Sequence, residues 1–118
     1  MPFDHEKLDV YGFAIDFVAR ANEVAGALPR GRGYLADQIQ RAALSIVLNI
    51  AEGAGKYSGD DKAAFYARAR GSATESAAVL DVCAKLNMLP VEVCGEHKAV
   101  LESLVRMLTR LIRVHQGS

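Results

Sequence analysis

Tryptophan is absent from the 118-residue chain, proline occurs three times and cysteine twice. Two cysteines cannot staple a disulfide-built fold. Cys83 and Cys94 fall on either side of an expected helix hairpin and read as packed thiols of a reducing compartment. Charge of one sign is also missing: Lys plus Arg and Asp plus Glu number 14 each, so no global field draws the chain to nucleic acid or to a membrane. A nucleic-acid role therefore needs a local patch. No apolar run approaches the roughly 20 residues of a membrane span, and Met1-Pro-Phe-Asp-His5 lacks the basic and apolar regions of a signal peptide. These absences point to the cytoplasm, and the length to one domain over residues 1–118.

Familiar chemistries are missing in the same way. Gly53-Ala-Gly-Lys-Tyr-Ser58 resembles the end of a phosphate loop, but Ile50 replaces its first glycine and Tyr57 stands where Ser or Thr should hold magnesium. A helix rather than a strand precedes it. Di-iron bundles need Glu-x-x-His pairs, and none of His5, His97 and His115 follows a Glu at that spacing. Cys83, Cys94 and the scattered histidines make no zinc pattern. No metal, cofactor or catalytic residue is expected, and the three histidines read as surface or packing residues.

What the chain does have is helix. Ala is abundant and the apolar fraction is 51%, a composition that suits closely packed helices. The first helix is expected from near Asp4 to before Leu28-Pro29, because Pro29 disfavours the helical conformation at the residue before it. Arg30-Gly-Arg-Gly33 is a turn. A second helix runs from Tyr34 or Leu35 to Gly53, with Gly53 and Gly55 as left-handed terminators. Ser58, with Asp61 three residues on, caps a third that reaches about Asn87. Leu89-Pro90 turns the chain into a fourth, from Val91 or Glu92 to about Val114. Short connections make neighbours antiparallel, so the expected fold is all-α, an antiparallel up-down-up-down four-helix bundle.

The helix faces sharpen this picture. The fourth helix is amphipathic, with Cys94, Val100, Leu101, Leu104, Val105, Leu108, Leu111 and Ile112 on one arc and Lys98, Glu102, Arg106, Arg110 and Arg113 on the other. The first is not. Its polar residues Asp9, Asp16, Arg20 and Glu23 cover an arc of only about 60°, leaving two apolar stripes, one of Val10, Phe13, Phe17, Ala21 and Val24, the other of Tyr11, Ile15, Val18 and Ala25. That is more apolar surface than one bundle buries, so a homo-oligomer with the first helix in the contact is expected.

On the second helix Arg41, Ser45, Asn49 and Glu52 fall within an arc of about 80°, and Gln38 joins them. The third helix has a matching anomaly, with Arg68, Ser72 and Glu75 on the arc of Phe65, Val79, Cys83 and Leu86. Facing each other across an antiparallel hairpin, these groups form a partly buried polar network, with ion pairs between Arg41 and Glu75 or between Arg68 and Glu52. Mid-helix Gly71 costs on the order of 1 kcal/mol relative to Ala, a cost that close packing would offset.

Leu28-Pro29, Leu35-x-x-Gln38-Ile39-x-Arg41-Ala-Ala-x-Ser45-Ile46, Asn49-Ile-Ala-Glu-Gly53 and Ala69-x-Gly71-Ser72-x-x-Glu75 together resemble the bacterial four-helix-bundle family first noticed in intervening sequences of large-subunit ribosomal RNA genes. The resemblance implies a homopentamer with a central channel and no established enzymatic activity. A relative in that family is the basic accessory subunit of diversity-generating retroelements, which associates with reverse transcriptase and nucleic acid; the charge here is balanced instead. The residues available for such a partner are Arg106, Arg110 and Arg113 on one face of the fourth helix, with Arg30, Arg32 and Lys56 in loops at opposite ends of the bundle. Repetition around a ring would make them a belt for phosphates. The expected function is thus a non-enzymatic oligomeric interaction protein, accessory to nucleic acid or a nucleic-acid enzyme. The alternative is a small-molecule binder or enzyme built on Arg41, Asn49, Glu52 and Glu75, with a solvent-connected pocket beside them.

Overall fold

In the computed structural model, which describes residues 2–118, a short 3-10 turn over Asp4–Lys7 precedes four long helices. These are α1 (Asp9–Ala27), α2 (Gly33–Ala54), α3 (Gly59–Lys85) and α4 (Val91–His115). Each helix packs on the next and α4 closes back on α1, while the diagonal pairs do not approach. This is the antiparallel up-down-up-down bundle, without a strand among the described residues.

Local chemistry explains the boundaries, including those the sequence misplaces. α1 begins at Asp9 rather than near Asp4, because the Glu6 carboxylate accepts the Phe3 N–H at 3.2 Å and Leu8 is extended (φ −92°, ψ 127°). Ser58 caps α3 as expected, its Oγ accepting the Asp61 N–H at 3.0 Å. The glycine stop assigned to α2 is wrong: Gly53 lies within the helix and Gly55 is right-handed at φ −84°. Gly53 is there for space. A Cβ on it would stand 2.8 Å from the Tyr66 ring. α2 ends instead where Lys62 Nζ donates to the Ala54 carbonyl at 2.8 Å, a cation at the negative end of the helix.

α3 ends with Asn87 in the left-handed region (φ 57°), its N–H donating to Ala84 O and the Met88 N–H to Cys83 O at 2.9 Å. That pair of bonds is a Schellman closure, and Pro90 two residues later forbids continuation. At the other end of α3, the Asp60 N–H donates to Ser118 O at 3.0 Å and the Gly117 N–H to the Asp60 carboxylate at 2.7 Å. Gly59 fits beneath this tail because a Cβ would run into the His115 carbonyl.

The core is filled by Val10 and Phe17 of α1, Ile39, Ile46 and Ile50 of α2, Tyr66 and Leu80 of α3, and Leu101, Leu104 and Leu108 of α4. α3 departs from expectation. Val79 and Cys83 are buried as expected, but the side α3 buries also carries Ala63, Tyr66, Ala69, Ala73, Ser76 and Leu80, while Arg68, Ser72 and Glu75 form a flank at the border with α2. Small residues win the interior because α3 is packed on both sides, by α2 and by α4. Gly71 is a second correction. It is exposed, and a Cβ there would meet nothing within 4 Å, so no close packing in the chain offsets its cost.

The two glycines should respond oppositely to the same change. Gly53→Ala is expected to lower stability by about 1–3 kcal/mol through overpacking against Tyr66, and Gly71→Ala to raise it by up to about 1 kcal/mol. Urea unfolding midpoints at equal slope measure both.

Candidate functional site

Along the α2–α3 border the polar stripe divides into two kinds of residue. Ser45, Asn49 and Ser72 are half-buried and joined: Ser72 Oγ donates to Ser45 Oγ at 2.8 Å, and Asn49 Nδ2 donates to the same oxygen at 3.0 Å and to the Ser45 carbonyl at 2.9 Å. Hydroxyls this short can meet only where two helices come close. Arg41, Glu52, Arg68 and Glu75 are exposed. Neither expected ion pair forms among the described residues. Glu75 accepts from Gln38 Nε2 at 2.8 Å, Glu52 takes Lys56 at 3.5 Å, and the Arg68 guanidinium lies 4.6 Å from the Phe65 ring centre. The reason is solvation: charges that reach water gain little from pairing, while hydroxyls at a helix contact must be satisfied. Arg41 has no hydrogen-bond or ion-pair partner among the described residues.

Of the residues assigned to an alternative ligand site, Glu52 lines an open hollow of about 510 Å³ together with Phe3, His5, Leu48 and Lys56. The Asn49 amide nitrogen is engaged by Ser45. No group of three or more His, Cys, Asp or Glu side chains among the described residues could hold a metal. No described helix is long and apolar enough to cross a membrane.

The basic candidates are spread over the bundle. Arg106, Arg110 and Arg113 are exposed on α4, with Arg106 Nη2 donating to Ser103 Oγ at 3.2 Å and Arg110 edging a hollow shared with Lys7. Lys56 sits in the α2–α3 connection, 5.0 Å over the Phe65 ring, at the same end as the α4 C-terminus. Arg30 and Arg32 lie in the α1–α2 connection at the opposite end, with Gly31 between them at φ 87°. The structure therefore keeps Arg30 and Arg32 apart from the other four.

Of the three histidines, His97 is the packing residue. It is 6% exposed, and Arg20 of α1 reaches it across the α1–α4 seam, with Nη1 3.4 Å from Nδ1. A guanidinium offers only donors, so Nδ1 must accept and the ring is neutral with its proton on Nε2. Burial, and then the Arg20 charge, hold its pKa below the ordinary imidazole value. The signal was its place in the row Cys94, His97, Leu101, Leu104, one polar residue at core spacing. Cys83 and Cys94 are buried free thiols, and burial raises both pKa values; the nearby partner sulfur adds to the shift of Cys83.

The apolar surplus expected on α1 is distributed differently. Val10, Phe17, Ala21 and Val24 are buried and Tyr11, Val18 and Ala25 half-buried, leaving Phe13 and Ile15 each 44% exposed. α2 carries the larger excess, with Leu44 50% and Leu48 55% exposed one turn apart. Phe3, 71% exposed, shares the hollow beside Leu48.

His97 generates a pH prediction. Its folded-state pKa is depressed, so the unfolded chain binds a proton that the fold refuses, and stability is complete above the unfolded value of about 6.5 and is lost as the pH falls below it. The urea midpoint is expected to drop between about pH 7.5 and about pH 5.5, with a smaller drop in His97→Gln.

Two comparisons place this architecture among known proteins. The profile of the family described as 23S rRNA-intervening sequence protein matches residues 6–110. A solved structure of a protein of unknown function from the S23 ribosomal protein family of Bacteroides thetaiotaomicron VPI-5482 superposes with a TM-score of 0.82 at 20% identity, covering 88% of this chain and 98% of that one. That likeness speaks for the fold. No curated protein matches. With the bundle, the Asn49–Gly53 and Gly71–Glu75 blocks and a match over residues 6–110 in agreement, the chain belongs to the 23S rRNA-intervening sequence protein family.

Proposed function

We propose that the chain is a non-enzymatic interaction module that works as a homo-oligomer, a ring of five being the number its family resemblance implies. The observation that carries this reading is the exposed apolar ridge of Leu44 and Leu48.

Accessory binding of nucleic acid is the second reading, and Arg106, Arg110 and Arg113 favour it. All three are exposed along α4 and none is in an ion pair among the described residues. In a ring they recur on every copy. The description of the family names 23S rRNA, which makes RNA the first probe.

Light scattering of the purified chain is expected to give a multiple of 12.7 kDa, and Leu44→Asp with Leu48→Asp to reduce it to the single-chain mass with helicity intact. A wild-type monomer refutes the assembly. For the second reading, filter binding to RNA at low salt should weaken as salt rises, and Arg110→Gln should reduce the salt slope by about one per engaged arginine. No retention at low salt ends that reading.

A further inference from the structure

The ridge on α2 has a counterpart on the opposite flank of the bundle. Between α3 and α4 runs a shallow groove of about 380 Å³, floored by Ala73, Ala77, Leu101 and Val105. Ala73 and Leu101 are buried, and Ala77 and Val105 are half-buried. α2 and α4 are diagonal in the bundle, so ridge and groove face different directions. One copy can offer both at once.

Their charges are written in the same spacing. Along the ridge the order is Arg41, Leu44, Leu48, Glu52, a cation and an anion bracketing two leucines over three helical turns, about 16.5 Å at 1.5 Å per residue. On α3 the groove is lined by Thr74 and Ala77, and the same helical stripe continues beyond it to Arg70 at one end and Asp81 at the other, the same separation with small residues between the charges. Laid antiparallel, Arg41 meets Asp81, Glu52 meets Arg70, Leu48 falls on Thr74, and Leu44 falls level with Ala78, one residue from Ala77. Laid parallel, like charges meet at both ends. Large side chains over small ones are also the combination that lets helices seat closely.

All four charges are exposed, and two of them, Arg41 and Arg70, are without an ion-pair partner among the described residues. Glu52 has Lys56 at 3.5 Å, and Asp81 shares Lys98 across the groove at 2.6 Å. Lys98 therefore stands at the Asp81 end, and Glu102 and Arg106 continue the rim along α4.

We propose that the α2 ridge of one copy seats in the α3–α4 groove of the next, antiparallel to α3, with Arg41 opposite Asp81 and Glu52 opposite Arg70. This rests on the assembly reading above. The contact joins two different surfaces, so it is head-to-tail, and repetition closes a ring or extends a filament rather than stopping at a two-fold dimer. Opposite charges at the two ends set direction and register, the role electrostatics plays best at an interface.

A charge exchange tests the pairing in the full chain. Glu52→Arg alone and Arg70→Glu alone are each expected to weaken assembly by at least about ten-fold in sedimentation velocity, and the double exchange to restore it to within about three-fold. Because both positions are exposed, circular dichroism should show unchanged helix in every variant. An oligomer whose mass ignores the single changes, or that the double change fails to restore, overturns this pairing and leaves assembly standing. A wild-type chain that is monomeric overturns both.

Discussion

α3 stands between α2 and α4, and much of the side it buries carries short side chains, Ala63, Ala69, Ala73 and Ser76, set among the larger Tyr66, Val79 and Leu80. Interaxial distance follows the side chains at the contact, so this one choice brings both neighbours in close. Much of the rest depends on it. The Ser72 and Ser45 hydroxyls reach each other at 2.8 Å, which side chains of that length manage only at near approach. Tyr66 lies against Gly53 with no room for a methyl group. The buried Ser76 hydroxyl is satisfied within its own helix, donating to the Ser72 carbonyl at 2.9 Å. On the other flank, the same economy of side-chain volume leaves the groove beside Leu101 and Val105 unfilled.

The polar stripe follows from where that close approach ends. At the contact line, unpaired hydroxyls and amides would each cost about 1–3 kcal/mol, so Ser45, Asn49 and Ser72 bond to one another. One side-chain length further out, Arg41, Glu52, Arg68 and Glu75 reach water and need no mutual partners. The stripe thus holds two functions in one sequence block. Its inner members fix how α2 and α3 meet, and its outer members frame the apolar ridge that α2 presents to solvent.

Elements whose causes are local were legible in the sequence. Pro29, Pro90 and the Ser58–Asp61 cap act within a turn or two of themselves, and each boundary falls where its chemistry puts it. Gly53 misled because glycine serves both left-handed stops and close approaches, and the ring that demands its absence of a Cβ belongs to Tyr66 on the next helix. Periodicity measured how wide the apolar arc of α1 is, but the neighbours that cover it are a tertiary fact. α4 and α2 bury most of that arc, Phe13 and Ile15 remain exposed on it, and Leu44 and Leu48 add a second exposed apolar pair on α2. The role of His97 was hidden for the same reason, since its position on α4 was plain while Arg20 lies 77 residues away.

That separation has a kinetic meaning. α1–α2, α2–α3 and α3–α4 are hairpins whose partners lie close in the chain, contacts that form quickly because little loop entropy is spent. The α1–α4 seam is the one long-range closure, and Arg20 and His97 sit on it. Of the four helix contacts it is therefore the one whose closure costs the most chain entropy. α1 is joined to α2 by a five-residue connection, and the other three helices hold most of the buried core that the seam closes over.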